Sequence, residues 1–272
     1  MAQLISKTGE LHTIPGELES KEEYLIYLRH LFAYEFAKDK ISKNSFALEI
    51  GCGEGYGTNL LSQNVEKIIG LDVDKNIIVH ALEKYGSENS VFRVYNGAKI
   101  PYEDNTFDAV ISFQVIEHIQ DDINCVSEIH RVLKTNGIFI LTTPNRTYRL
   151  GQKPWYRFHM REYYPHELEN ILKNKFPDVK VWGIRGSDEI QRIEIKRVKR
   201  ILSIISFDPL NLRKLIPESL KSVIIKTLNG IVRGNQRNKN DRDFLNRYSV
   251  KDYYVIKNNV EESLDLLGIC KK

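Results

Sequence analysis

Cysteine is scarce in this 272-residue chain, and its three copies, Cys52, Cys125 and Cys270, lie far apart with no Cys-x-x-Cys spacing. That argues against a disulfide framework or a structural zinc site and fits a reducing, cytoplasmic setting. Long apolar runs are also missing. The richest stretch, Ile201 to Phe207, falls far short of the ~20 residues needed to cross a bilayer, and the opening residues carry no secretory apolar core. Charge of one sign is not in excess: 40 Lys+Arg against 36 Asp+Glu leave +4, so neither a nucleic-acid wrapper nor an acidic tail is indicated. No internal repeat is visible. What is present, 42% hydrophobic residues with 10% aromatic, supplies a real core for one large domain or a domain with an elaboration.

Ser20 followed three residues later by Glu23 reads as a capping box, opening a helix that carries Leu25, Leu28, Leu31, Phe32 and Phe36. Short apolar runs then alternate with helical periods. Strands are expected at 46–50, 68–71, 91–95, 109–113, 138–142 and 179–184, and helices after Tyr56, over 76–85 and over 122–133. Such alternation means a largely parallel sheet covered on both faces. Asp121 and Asp122 suit the positive start of their helix, and Asn136-Gly137 predicts a turn ahead of the next strand. Between 186 and 247 the composition changes: 14 Lys or Arg meet 7 Asp or Glu, a local +7 that leaves −3 for the rest. Amphipathic periods at 190–205 and 220–231 and a polar loop at 234–240 make this a helical insert, after which 263–270 reads as a returning strand.

The sharpest signal is Glu49-Ile50-Gly51-Cys52-Gly53-Glu54-Gly55-Tyr56-Gly57, between a predicted strand and a predicted helix. Alternate glycines let the backbone turn tightly and lie against a ligand, with helix amides aimed at it. A dinucleotide fingerprint needs glycine where Tyr56 stands, and the Gly-Lys-Ser/Thr ending of a phosphate-cradling loop is absent. An adenosine with an unphosphorylated tail fits better. Asp72, 21 residues after Gly51, sits where a carboxylate accepts both ribose hydroxyls. A glycine-rich turn and a strand-terminal Asp also occur in doubly wound folds that make no such use of them.

With Gly70-Leu71-Asp72, Ile100-Pro101 through Phe107-Asp108, Gln114-Val115-Ile116-Glu117-His118-Ile119, Arg131 to Gly137 and Thr142 to Arg146, this run resembles the class I S-adenosylmethionine-dependent methyltransferases. The similarity is strongest to the quinone-biosynthesis and glycan-associated branch, over about residues 8–184 plus the terminal strand. It implies a Rossmann-like α/β fold: a seven-stranded, mostly parallel sheet with helices on both faces, an N-terminal helix over the cofactor, and a helical insert before the last strand. The implied division is a core at 1–185, a basic lobe at 186–247, and a return to the sheet at 248–272. S-adenosylmethionine is the implied cofactor. Glu49, Gly51, Cys52, Gly53 and Gly55 would hold its methionine end, Asp72 with Val73 its ribose, Asn96, Gly97 and Ala98 its adenine, and Gln114 the region of the reacting methyl. Where the family often has Asp beside the adenine, this chain has Asn96.

Methyl transfer to a hydroxyl needs an aligned acceptor, exclusion of water and removal of a proton. His118 is a candidate base, although Glu117-His118 could equally brace the turn after the fourth strand. His159 and Tyr163 are further catalytic candidates on the acceptor side, with Asn145, Arg146 and Arg161 as acceptor-binding residues; Tyr164-Pro165-His166-Glu167 could instead simply open a helix. No metal ligands are expected. The favoured acceptor is a hydroxyl or amine of a sugar, nucleotide sugar or surface glycan, with a phenolic, quinone-like or other natural product as the alternative. A regulatory protein that binds the cofactor without turnover is the reading from another class, and a nicotinamide dehydrogenase a weaker one. The basic insert is open to docking on an anionic partner, a membrane surface or a second copy, or to plain packing on the sheet; nucleic acid is not an expected partner.

Overall fold

The computed structural model describes residues 20–148, 159–206 and 244–272. The amphipathic stretch expected at 220–231 and the loop at 234–240 lie outside the described residues, as does most of the basic insert.

The first described element is α1 (Lys21–Lys38), whose N-cap Ser20 accepts the Glu23 amide as its sequence predicts. There follow β1 (Phe46–Ile50), α2 (Tyr56–Ser62), β2 (Lys67–Asp72), α3 (Lys75–Tyr85), β3 (Ser90–Val94), β4 (Phe107–Phe113), α4 (Asp122–Val132), β5 (Leu133–Pro144), α5 (Pro165–Lys173), β6 (Asp178–Gly186), α6 (Asp188–Ser206), β7 (Tyr253–Ile256) and β8 (Asp265–Lys271). All eight strands form one sheet in the order β3-β2-β1-β4-β5-β8-β6-β7. The first five are parallel, while β8 enters antiparallel between β5 and β6, and β7 lies antiparallel on β6.

Two details depart from the sequence expectation. The sheet has eight strands and not seven, because Tyr253–Ile256 pairs with β6 at the edge; four residues are too short a run to display an alternating pattern. The Asn136-Gly137 turn is absorbed into β5, where the register with β4 slips between Leu133 and Ile138 and Asn136 takes φ 65°. It is a bulge within a strand, not a turn ahead of one.

Side-chain alternation divides the core between the two faces. Leu48, Ile50, Val110, Phe139 and Leu141 meet Val126 and Ile129 of α4 and Leu168 and Leu172 of α5. Ala47, Ala109, Ile111 and Ile140 meet Leu25 of α1, Leu61 of α2 and Ile190 of α6. The apolar stripe at the start of the insert therefore packs on the sheet as far as it is described. α1 is fixed to the C-terminal strand by a buried ion pair, Arg29 Nε to Asp265 Oδ2 at 2.8 Å, and to β7 by the Tyr253 hydroxyl, which donates to the Leu25 carbonyl at 2.7 Å. Removing one member of a buried pair strands the other charge. Arg29→Met is expected to lower unfolding free energy by about 3–5 kcal/mol, measured by urea denaturation.

Candidate active site

Four strands end at one cavity of about 450 Å³. Gly51, Cys52 and Gly53 follow β1, Asp72 closes β2, Asn96, Gly97 and Ala98 follow β3, and Gln114 follows β4; all line it, as does Val73. These are the carboxyl ends of the strands, where open α/β sheets bind ligands. The opposite wall holds His30 and Tyr34 of α1 with Tyr56 and Phe113.

The loop after β1 is shaped by steric necessity. Gly51 adopts φ 71°, and a Cβ there would run into the Val115 side chain. Gly57 lies so close under the Tyr34 ring that no side chain fits between α1 and α2. Asp72 is held in a fixed orientation: Oδ2 accepts the Gly53 amide at 3.0 Å and Oδ1 the Asp74 amide at 3.0 Å. Its carboxylate thus faces the cavity already aligned for two further donors. Gln114 sits at φ 57°, an uncommon conformation for a non-glycine residue, held by its amide to the Thr142 carbonyl (2.9 Å) and by Nε2 to Thr142 Oγ1 (3.2 Å). An oriented carboxylate at the end of β2, a glycine-walled turn and a strained strand end fit an adenosine carrying a compact, unphosphorylated tail.

Two residues expected against the cofactor lie behind the cavity wall. Glu49 is fully buried and accepts hydrogen bonds from the Tyr34 hydroxyl at 2.6 Å and from the Thr58 hydroxyl. Burial pushes its carboxyl up to about 7, against the pull of those two donors. Gly55 starts α2 at φ 82°, facing Phe92 and Ala81, where it lets α2 settle against β3 and α3. Asn96 uses its own Oδ1 to accept the Ala98 and Lys99 amides, both at 3.0 Å, so its side-chain carbonyl shapes the turn and does not read a base.

The acceptor-side expectations are redistributed more heavily. His118 lines the cavity at the end of a 3-10 turn, Ile116–His118, in edge-to-face contact with His159 at 4.9 Å between ring centroids. His159 Nδ1 lies 2.8 Å from Glu162 Oε1, both side chains buried. Tyr163 is fully buried, its hydroxyl donating to Asp122 Oδ2 at 2.8 Å, and burial raises its pKa; it braces the core. Asn145, also fully buried, donates Nδ2 to the Val260 and Ser263 carbonyls, both at 3.0 Å, tying β5 to the approach of β8. Arg161 lies over the Tyr163 ring and near Asp122, and Arg146 stacks over Tyr164. The Tyr164 amide donates to Glu167 Oε2 at 3.0 Å with Pro165 next, so this segment opens α5. His159, Tyr163, Asn145, Arg146 and Arg161 are all absent from the cavity lining; of the acceptor-side candidates His118 lines it. His30 and Tyr34 were missed, yet Tyr27, His30 and Tyr34 share a helical face by their spacing of three and four.

Residues 48–141 match the family model described as a methyltransferase domain. A probable S-adenosylmethionine-dependent methyltransferase of Mycolicibacterium smegmatis is 39% identical over 168 residues, 61% of this chain and 63% of the relative. The chain carries a class I S-adenosylmethionine-dependent methyltransferase domain. S-adenosylmethionine is that domain's cofactor. A demethylmenaquinone methyltransferase of Staphylococcus epidermidis is 26% identical over 154 residues, 52% of this chain and 62% of the relative. The chain spans under two thirds of the length of these curated relatives. A solved S-adenosylmethionine-dependent methyltransferase from Thermotoga maritima, described as a possible histamine N-methyltransferase, shares the methyltransferase fold with a TM-score of 0.57 at 14% identity, covering 93% of this chain and 95% of that one.

Asp72→Ala is expected to weaken S-adenosylmethionine binding by about 1–3 kcal/mol, roughly ten- to a hundredfold by calorimetry, with little change in melting temperature. Glu49 gives a pH signature. Its carboxyl is raised from 4.5 to about 7 in the folded chain, so folding takes up a proton between those values and stability falls as pH rises through that window. Urea titrations from pH 4 to pH 8 should show this slope in the wild type and its loss in Glu49→Gln.

Proposed function

We propose that the protein transfers the methyl group of S-adenosylmethionine to a hydroxyl oxygen of a small organic acceptor. The observation that carries this reading is the placement of His118 on the wall of the cavity that also holds Asp72, the glycine loop and Gln114. The cofactor brings a methyl already activated on a sulfonium. Asp72 and the loop would anchor the nucleoside, the strained Gln114 backbone would fix the floor near the methyl, and Tyr34, Tyr56 and Phe113 would keep water out. The acceptor oxygen must give up its proton as it attacks, and that step depends on His118.

Within hydroxyl acceptors we favour a phenolic or quinone-like ring over a sugar. The cavity wall is aromatic, and Asn145 and Arg161, expected to bind the acceptor, and Tyr163, expected to be catalytic, are committed to packing and ion pairing. The staphylococcal relative is named for a quinone-type acceptor, demethylmenaquinone, which supports a quinone-like ring. A reducing cytoplasmic setting completes the reading: all three cysteines are free thiols, and burial pushes those of Cys52 and Cys270 up. No helix among the described residues is long and apolar enough to cross a membrane.

The test is release of S-adenosylhomocysteine, with product masses, against a pool of phenols and quinone precursors and a pool of nucleotide sugars and short glycans. Methylation in the first pool supports the reading; methylation confined to the second overturns the acceptor class. Cofactor binding without turnover in either favours a non-catalytic role. His118→Ala should lower kcat by about a hundredfold or more while S-adenosylmethionine affinity holds.

A further inference from the structure

We infer that Glu117, His118 and His159 form a binding site for one divalent cation of the zinc type on the acceptor side of the cavity. One ligand atom from each lies within 4.8 Å of the other two. One carboxylate oxygen with two imidazole nitrogens is a donor set for zinc and its neighbours, whereas magnesium and calcium prefer oxygen throughout. On a tetrahedral ion with bonds of about 2.0 Å, two nitrogens stand roughly 3.3 Å apart. Small rotations of side chains whose rings already touch would bring the set to that spacing.

The surroundings are built as metal sites are. Glu162 Oε1, itself buried, sits 2.8 Å from His159 Nδ1 and selects the tautomer in which Nε2 carries the lone pair. The Thr143 hydroxyl donates to Glu117 Oε2 at 2.9 Å and fixes the plane of that carboxylate. The two chain segments are locked together as well: the Met160 and Arg161 amides donate to the Glu117 carbonyl at 2.7 and 3.2 Å, holding His159 against the turn that carries His118. Three protein ligands leave one position for another oxygen, the pattern of catalytic and not of structural sites. Of the three ligands His118 lines the cavity, so the site borders it there.

The use of the ion rests on the methyl-transfer reading; its binding does not. In use, the ion would take the acceptor hydroxyl oxygen and lower its pKa, so that the proton leaves to water. The oxygen then forms its bond to the methyl carbon while the carbon–sulfur bond breaks and its electron pair stays on sulfur as a neutral thioether. His118 would serve this step as a ligand.

The experiment is calorimetric titration of chelator-stripped protein with Zn²⁺ alone, with bound metal counted by mass spectrometry. One Zn²⁺ per chain is expected. His159→Ala should weaken it at least a hundredfold and Glu162→Gln by about ten- to a hundredfold, with circular dichroism melts confirming that both variants fold. Glu117 is too buried for a safe substitution, so the histidine and the outer carboxylate carry the test. Absence of Zn²⁺ binding at micromolar concentrations, or equal binding by His159→Ala, overturns the site. If no ion binds and His118→Ala still abolishes turnover, the cation falls and methyl transfer stands. If the ion binds as expected but no acceptor is methylated, the site stands and the methyl-transfer reading falls.

Discussion

The hydrogen bonds that Tyr34 and Thr58 make to the buried carboxyl of Glu49 hold the rest of the site in place. Glu49 belongs to β1, Tyr34 to α1 and Thr58 to α2, so one acidic group joins the strand that precedes the glycine loop to the helices on either side of it. A carboxyl in that position is costly to bury and is tolerated because both oxygens are bonded and because it holds its proton more readily than an exposed one. The consequence is geometric. With Tyr34 tethered, its ring occupies the space that the absent side chain of Gly57 leaves, and the same ring makes edge contacts with Tyr56 and Phe113. The roof of the cavity is thus set by the floor of the sheet.

The segment after β5 follows a different logic. Its polar and aromatic residues could be taken for a binding loop, but most bind the protein itself. Asn145 grips the backbone ahead of β8, Tyr163 grips Asp122 at the start of α4, and Glu162 grips His159. Each contact costs a polar group its access to water and returns a fixed position for the segment that backs the turn carrying His118. What emerges is a rigid frame around His118 and His159, with the acceptor side defined by two imidazoles and not by a broad polar surface.

Much of the fold was legible because its signals are local. Capping at Ser20, the alternating apolar strands and the glycine loop all depend on residues within one turn or one strand, and the structure places each where its sequence points. The lining of the cavity was readable for the same reason: Gly51, Gly53, Asp72 and Gln114 sit at strand ends, which the sequence marks directly. Legibility failed where a residue's partner is distant. Glu49 reads as a ligand residue until Tyr34 and Thr58 are seen on it, and Tyr163 reads as a catalytic hydroxyl until Asp122 is found beneath it. The convergence of Glu117 and His159, more than forty residues apart, could not be read from their spacing.

The insertion of β8 between β5 and β6 bears on the order in which the molecule can form. β6 and β7 have no neighbour on the main sheet until the strand at 265–271 arrives, and α1 gains its ion-pair partner Asp265 only then. Five strands and their helices can assemble early through short connections, but the helix carrying His30 and Tyr34, already tethered through Glu49, gains its ion pair only in a contact spanning more than two hundred residues, the slow kind of closure. A chain halted before that strand docks would hold the glycine loop and Asp72 under a helix tethered through Tyr34 and Glu49 but lacking its ion pair to Asp265. The second anchor of the cavity's roof is therefore completed late in folding, once the last strand has reached its slot.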